Sequence, residues 1–223
     1  MIHVHHLEKS RSHRILWLLE ALELDYELVI YQRDDKTQQA PDSLKKIHPL
    51  GKSPVITDGD LTVAESGAII DYLLQRYGQG RCQPSPGDLR AWVDYRYWLH
   101  YAEGSLMPLL VMQLVFSQVP KQSPWLIKPL AKGISDTVSK RFLAPQMKQH
   151  LTFINQHLSA NGNFAGPWPS GADIQMSFPL QAVAAVQSLE QYSAIAAFVS
   201  RIEQDSAWQR VVERAGPLTM PGQ

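Results

Sequence analysis

Glu65 and Ser66 stand where the hydrophobic pattern of the chain changes period. Ahead of them, Val55-Ile56, the turn Asp58-Gly59-Asp60 and Leu61-Thr62-Val63-Ala64 read as two short strands joined tightly. Behind them, Ile69, Ile70, Leu73, Leu74 and Tyr77 recur at three- and four-residue spacing, as on one face of a helix. A hairpin therefore delivers Glu65 and Ser66 to the first turn of a helix. The N–H groups there have no intrahelical acceptor, and the helix dipole favours an incoming carboxylate. Ser53 precedes Pro54 and is held extended by it. If that bond is cis, the Ser53 backbone turns outward and can pair with an extended ligand. Together these features point to a small anionic peptide. Acids and serines also favour first helical turns for capping alone; the position directly after a hairpin is what favours a ligand.

Other reactive side chains carry less. Ser10 and Ser12 flank the start of a helical stripe, and capping alone explains a serine there. His3, His5, His6 and His13 crowd the N-terminus, but no Cys or acidic partner has matching ligand spacing, so they read as structural or surface histidines and no metal is expected. Cys82 lies in a Gly/Pro-rich segment and reads as an incidental thiol. As the single cysteine it excludes an internal disulfide and a CxxC pair, which points to a reducing compartment.

The positioning elements follow from periodicity. Ile2-His3-Val4-His5 alternates as a strand, residues 7–11 form a polar turn, and Ser12–Glu23 carries the stripe Ile15, Leu16, Leu18, Leu19, Leu22. Tyr26–Tyr31 alternates again, Gln32–Pro41 reads as a loop, and Asp42–Ile47 as a short helix. The order strand-helix-strand predicts a parallel pair, to which the hairpin adds antiparallel strands. The expectation is an α/β domain over residues 1–80, a linker at 81–86 and an all-helical domain over 87–223.

In the second half, Ser85-Pro86-Gly87-Asp88 starts a long helix bearing Trp92, Tyr95, Tyr97, Trp98 and Tyr101, which Pro108 is expected to kink. Pro120, Pro124 and Pro129 make 117–140 read as mostly irregular. Phe142–Leu158 is helical. Ser170 and Asp173 have capping-box spacing ahead of a helix to about Leu189 with Pro179 inside it. Ala194–Ile202 and Ala207–Arg214 give two final helices, and 216–223 a loose tail.

The chain has 223 residues, 21 Lys and Arg against 21 Asp and Glu, and an ordinary apolar content. That balance does not point to nucleic acid or an acidic membrane surface. The N-terminus lacks the apolar core of a signal peptide, and the most apolar run, Leu106–Phe116, is too short to span a bilayer. A soluble cytoplasmic protein is expected.

An α/β half with Ser-Pro before a hairpin and Glu-Ser at the next helix, then a helical half with a Ser-x-x-Asp box, resembles the glutathione S-transferase family. The segments LEKSRSHRILWLLEALELDYELVIYQRD and KKIHPLGKSPVITDGDLTVAESGAIIDYL look like its bacterial and fungal branch with an SRS segment after the first strand. The resemblance implies a thioredoxin-like domain joined to a helical one, as a homodimer, with glutathione as co-substrate. It implies that Glu65 and Ser66 hold the γ-glutamyl end and that the Ser53 backbone pairs with the cysteinyl residue. Lys52 and Gln39 would face the glycine carboxylate. Ser10, with Ser12 as the alternative, would steady the thiolate as a hydrogen-bond donor, and Arg11 or Arg14 would add positive potential. The implied reaction is attack on an apolar electrophile held between the domains near Tyr97 and Tyr101; peroxide reduction, or binding without turnover in a regulatory module, are the alternatives.

Overall fold

The computed structural model describes residues 1–34, 37 and 39–219. The α/β half contains β1 (Ile2–Leu7), α1 (His13–Ala21), β2 (Tyr26–Tyr31), α2 (Asp42–Ile47), β3 (Val55–Asp58), β4 (Leu61–Ala64) and α3 (Ser66–Tyr77). The rest is helical: α4 (Leu89–Tyr101), α5 (Met107–Gln122), α6 (Lys128–Val138), α7 (Ala144–Asn161), α8 (Gly171–Val186), α9 (Ser193–Gln204) and α10 (Ser206–Ala215). Of the expected tail, 220–223 lie outside the described residues, as do 35, 36 and 38 of the expected loop.

The sheet order is β2-β1-β3-β4. β1 and β2 run parallel, with Ile2 opposite Tyr26 and Leu7 opposite Tyr31. β3 lies antiparallel to β1, with His5 opposite Val55, and β4 antiparallel to β3, with Val55 opposite Ala64. This register gathers the carboxyl ends of β1, β2 and β4 and the start of β3 at one edge of the sheet. The stripe of α1 is fully buried at Ile15, Leu16, Leu18 and Leu19, and one apolar core runs from Ile2 and Val4 through α1, α3, α4 and α8 to Trp208 and Val211.

The prolines correct the reading of 117–140. That stretch is largely helical: Pro124 and Pro129 sit where a missing N–H is tolerated, and Pro120 lies inside the last turns of α5, where it removes one intrahelical hydrogen bond without ending the helix. Pro124 lies in the break, and Pro129 in the first turn of α6, whose N–H groups are unpaired in any case. Pro108 likewise lies in the first turn of α5, and the irregularity falls before it, as the π-helical segment Ala102–Leu106. A second such segment, Ser139–Leu143, precedes Pro145 in α7. Wider turns ahead of each proline relieve the clash of its ring with the carbonyl four residues back. The helical run Leu89–Gln122 is thus continuous over 34 residues and, by length and composition alone, suffices to cross a bilayer. That corrects the shorter apolar run read from sequence, although Tyr95, Trp98, Leu99, Leu106 and Leu109 of this helix belong to the core.

At the start of α8 the expected capping box is formed. Ser170 Oγ accepts from the Asp173 N–H, and the Asp173 carboxylate accepts from the Ser170 N–H and hydroxyl at 2.8 and 2.7 Å and from the Phe164 N–H at 2.7 Å. Burial pushes the Asp173 carboxyl up to about 6 against these donors, so it is ionised at neutral pH. Gly171 is required here by close approach: a Cβ would lie 2.3 Å from Tyr95 Oη and 2.8 Å from Ile70 Cγ2. Asp173→Ala strands three buried donors and is expected to cost about 3 kcal/mol or more. Ser170→Ala is expected to cost about 1–2 kcal/mol. Urea midpoints measure both; an Asp173→Ala loss below that of Ser170→Ala would refute this ranking.

Candidate functional site

The edge where β1, β3 and β4 meet carries most of the polar residues singled out by sequence. Ser10 follows β1 in the turn before α1. Ser53 stands just ahead of the β3 ladder, and its bond to Pro54 is cis. The Ser53 hydroxyl donates to the His5 carbonyl at 2.8 Å and accepts from the Leu7 N–H at 3.2 Å, which ties the start of β3 to the end of β1. Because Val55 faces Ala64, Glu65 and Ser66 emerge one strand over from Ser53 and Pro54. Glu65 is the N-cap of α3 at φ 70°, an unusual conformation for an L side chain, and its carboxylate is exposed with no partner among the described residues. Ser66 is buried and its hydroxyl accepts from Gln175 Nε2 of α8 at 3.0 Å.

The two serines of the turn divide their positions. Ser12 is fully buried at the N-cap of α1, but its hydroxyl caps nothing; it lies 2.7 Å from His6 Nδ1 and 2.8 Å from Ser10 Oγ. Ser10 Oγ accepts from the Ser12 N–H at 3.3 Å and is placed to donate to Ser53 Oγ at 3.3 Å. Burial, with His13 beside it, pushes the His6 imidazole down to about 4, so the ring is neutral in ordinary buffers. The chain can then run in two directions. With the His6 proton on Nε2, Ser12 donates to His6 and Ser10 donates to Ser12. With it on Nδ1, His6 donates to Ser12 and Ser12 to Ser10, and the Ser10 proton goes to Ser53 Oγ, a long bond that a ligand in the cavity would compete with.

Ser10 lines a cavity of about 490 Å³ and Ser12 does not. One wall is polar and cationic: Lys9, Ser10, Arg11, Arg33, Lys52 and Ser53. The opposite wall is apolar: Met107, Leu110, Val111 and Leu114 from α5, and Phe178, Ala182 and Val186 from α8. Among the described residues no carboxylate lines it. A cavity of this form suits a small anion beside an apolar group. Sequence reading missed this apolar wall. Its signal is the i, i+4, i+8 spacing of Phe178, Ala182 and Val186, and the run Leu110–Leu114, which is indistinguishable from core until the partner helix is known.

Tyr97 and Tyr101, expected near the apolar electrophile, are not among the residues that line this cavity. Both precede the π-helical segment and face α7: Tyr101 is buried and hydrogen-bonded to His150, and Tyr97 stacks on Tyr101 at an exposed face beside Phe153. Gln39 is exposed and, like Glu65 and Ser66, is not among the cavity's lining residues. Arg14 is wholly buried and turned to α8 rather than the cavity. Cys82 is buried, and burial pushes its thiol up to about 11, so it is unreactive. Among the described residues no group of three or more His, Cys, Asp or Glu is placed to hold a metal ion.

Residues 1–75 match the family described as glutathione S-transferase, N-terminal domain. Glutathione S-transferase 1 of Saccharomyces cerevisiae is 36% identical over 228 residues, covering 98% of this chain and 97% of the relative. Glutathione S-transferase 3 of Schizosaccharomyces pombe is 36% identical over 180 residues, covering 81% and 73%. A solved glutathione S-transferase of Actinobacillus pleuropneumoniae superposes with a TM-score of 0.78 at 33% identity, over 100% of this chain and 97% of that one. With the sheet order, the Glu-Ser helix start and a relative aligned along nearly its whole length in agreement, the chain belongs to the glutathione S-transferase family.

Proposed function

We propose that the chain is a glutathione transferase of the serine type that joins the glutathione sulfur to an apolar electrophile. The observation that carries this reading is the two-sided cavity with the Ser10 hydroxyl on its polar wall. Glutathione lies along the sheet edge: its γ-glutamyl end at Glu65 and the free N–H groups of α3, its cysteinyl residue on the Ser53 backbone, its glycine carboxylate toward Lys52 and Gln39. The thiol then falls at Ser10.

A free thiol titrates near 8.5, and each unit by which a donor lowers it is worth about 1.4 kcal/mol. In the direction His6 to Ser12 to Ser10, each hydroxyl polarises the next and Ser10 presents a strengthened donor to the sulfur. Lys9, Arg11 and Lys52 favour the thiolate by their field. The sulfur lone pair forms the new carbon–sulfur bond while the leaving group departs with its electrons, or while the electron pair of an activated double bond moves to its acceptor. Serine stays a donor throughout and forms no bond. The electrophile rests on Leu110, Leu114 and Phe178. A homodimer is part of the proposal: α4 exposes Leu89, Val93 and Tyr97 on one stripe beside Phe153 of α7, an apolar face that a second copy would cover.

Calorimetry with glutathione and conjugation to an aryl halide test the reading. Binding with turnover is expected; reduction of an organic hydroperoxide in place of conjugation would reassign the reaction, and binding without turnover would make the chain a regulatory module. Ser10→Ala is expected to raise the titration of bound thiol by at least about one unit, lowering kcat/KM at neutral pH about tenfold or more, with glutathione affinity nearly kept. Since kcat/KM follows the thiolate, it rises with pH through that titration. Ser12→Ala is expected to show a smaller shift in the same direction; an unmoved profile in Ser10→Ala would dismiss Ser10. His6 binds a proton more readily unfolded than folded, so stability is expected to fall as pH drops from about 6.5 towards 4, by up to about 1.4 kcal/mol per unit, and less steeply in His6→Asn. Val93→Glu is expected to halve the mass by light scattering; an unchanged mass would place the dimer contact elsewhere.

A further inference from the structure

The end of α5, the break after it and α6 form a surface that the chemistry above does not use. Trp125 is 80% exposed, Leu126 71%, Leu130 67% and Ile134 53%. Leu130 and Ile134 stand one turn apart on the outer face of α6, whose inner face buries Ser135. These four large apolar side chains, a tryptophan among them, are thus left exposed within ten residues, and exposed apolar surface of this kind marks contact sites. Its charge is equally uneven. Residues 117–142 hold Lys121, Lys128, Lys132, Lys140 and Arg141 against Asp136 alone, in a chain whose total is zero. None of these five cations is in an ion pair among the described residues.

We propose that the segment Trp125–Ile134 docks the protein on an anionic lipid surface. The combination of a tryptophan, flanking aliphatic side chains and lysines on the other face of one short helix is what an interfacial segment requires: hydrocarbon receives the apolar side chains and headgroup phosphates receive the ammonium groups. A second copy fits less well, since a two-fold contact would gather two copies of a cationic segment whose only acid is Asp136. The whole-chain charge balance, from which no membrane contact was expected, averages this patch away. Docking has a consequence for the cavity. Val111, Leu114 and Ser117 of its wall lie on the same helix, and Ser117 is one turn from Lys121. The mouth would thus stand close to the phase in which apolar compounds concentrate.

The test is co-sedimentation of the full chain with phosphatidylcholine vesicles, with and without phosphatidylglycerol. Binding is expected to the anionic vesicles only, weakening as salt rises. Lys128→Glu with Lys132→Glu, and separately Trp125→Ser with Leu126→Ser, are each expected to lower partitioning at least about tenfold. Neither pair touches the cavity, so glutathione affinity and melting temperature should stay at the parent values and show that the variants fold. Brominated lipid should quench tryptophan emission in the parent and much less in Trp125→Phe. Absence of binding to anionic vesicles, binding that both double variants retain, or a change of oligomeric mass in those variants would each overturn the proposal, the last by assigning the face to a second copy.

Discussion

The buried guanidinium of Arg14 holds the two halves of the molecule in register. Its Nη1 donates to the Gln175 carbonyl at 2.8 Å, its Nη2 to the Glu103 carboxylate, and the group packs over the Phe178 ring at 5.3 Å. The Gln175 carbonyl is available because Pro179, four residues on, has no N–H to give it. The helix interior proline that looks like a defect in α8 is therefore the acceptor site for a side chain of α1. Burial lowers the Arg14 guanidinium from its ordinary value while Glu103 opposes that, and a group starting above 12 stays charged. A charge this deep is tolerable only with its partners present; removing one leaves a cost of several kcal/mol. Glu103 also takes Arg11 at 3.0 Å and lies in the π-helical segment before α5. One ion cluster thus fixes α1, α8 and the start of α5, the three elements between which the cavity opens.

A second set of contacts closes the chain on the other side of α1. Glu20 receives the Tyr26 hydroxyl, Arg210 and Arg214, and although burial opposes it, these donors hold its carboxyl below the usual range. Asp205 caps α10 and accepts from the indole N–H groups of Trp17 and Trp168. Helix α1 is therefore anchored at its base by α10 and along its length by α8. Its start, where Ser10 and Ser12 meet His6, is left little freedom. A relay of hydroxyls held at 2.7 and 2.8 Å needs this kind of support.

The local grammar of the chain was legible because it is written in neighbouring residues. The hairpin at 55–64, the helix beginning at Ser66, the box at Ser170 and Asp173, and the stripe of α1 all depend on period and capping. Features that depend on which helix meets which were not. Tyr97 and Val111 both lie on one continuous helix, and the π-helical segment between them resets its phase, so an aromatic stripe gives no hint that the cavity face begins only at Met107. Pro120, Pro124 and Pro129 looked like a broken segment because a proline's effect depends on its place in the turn, which is set by where the helices start. The partnership of Arg14 with Pro179 spans most of the sequence, and neither residue carries a local mark of it.

The cavity separates two tasks between two kinds of structure. Its polar wall comes from strand ends and tight turns, where backbone geometry fixes the positions of Ser10, Lys52 and Ser53 to the sheet register. A one-residue slip there would turn each side chain to the opposite face, so this wall has little room to vary. Its apolar wall comes from side chains of α5 and α8, whose separation is held by Arg14 and Glu103, neither of which lines the cavity. Leu110, Leu114 and Ala182 can therefore change in size without disturbing the anchor, whereas Phe178 packs under Arg14 and cannot. The polar wall thus follows from the sheet, and the volume beside it from the helical side chains of α5 and α8.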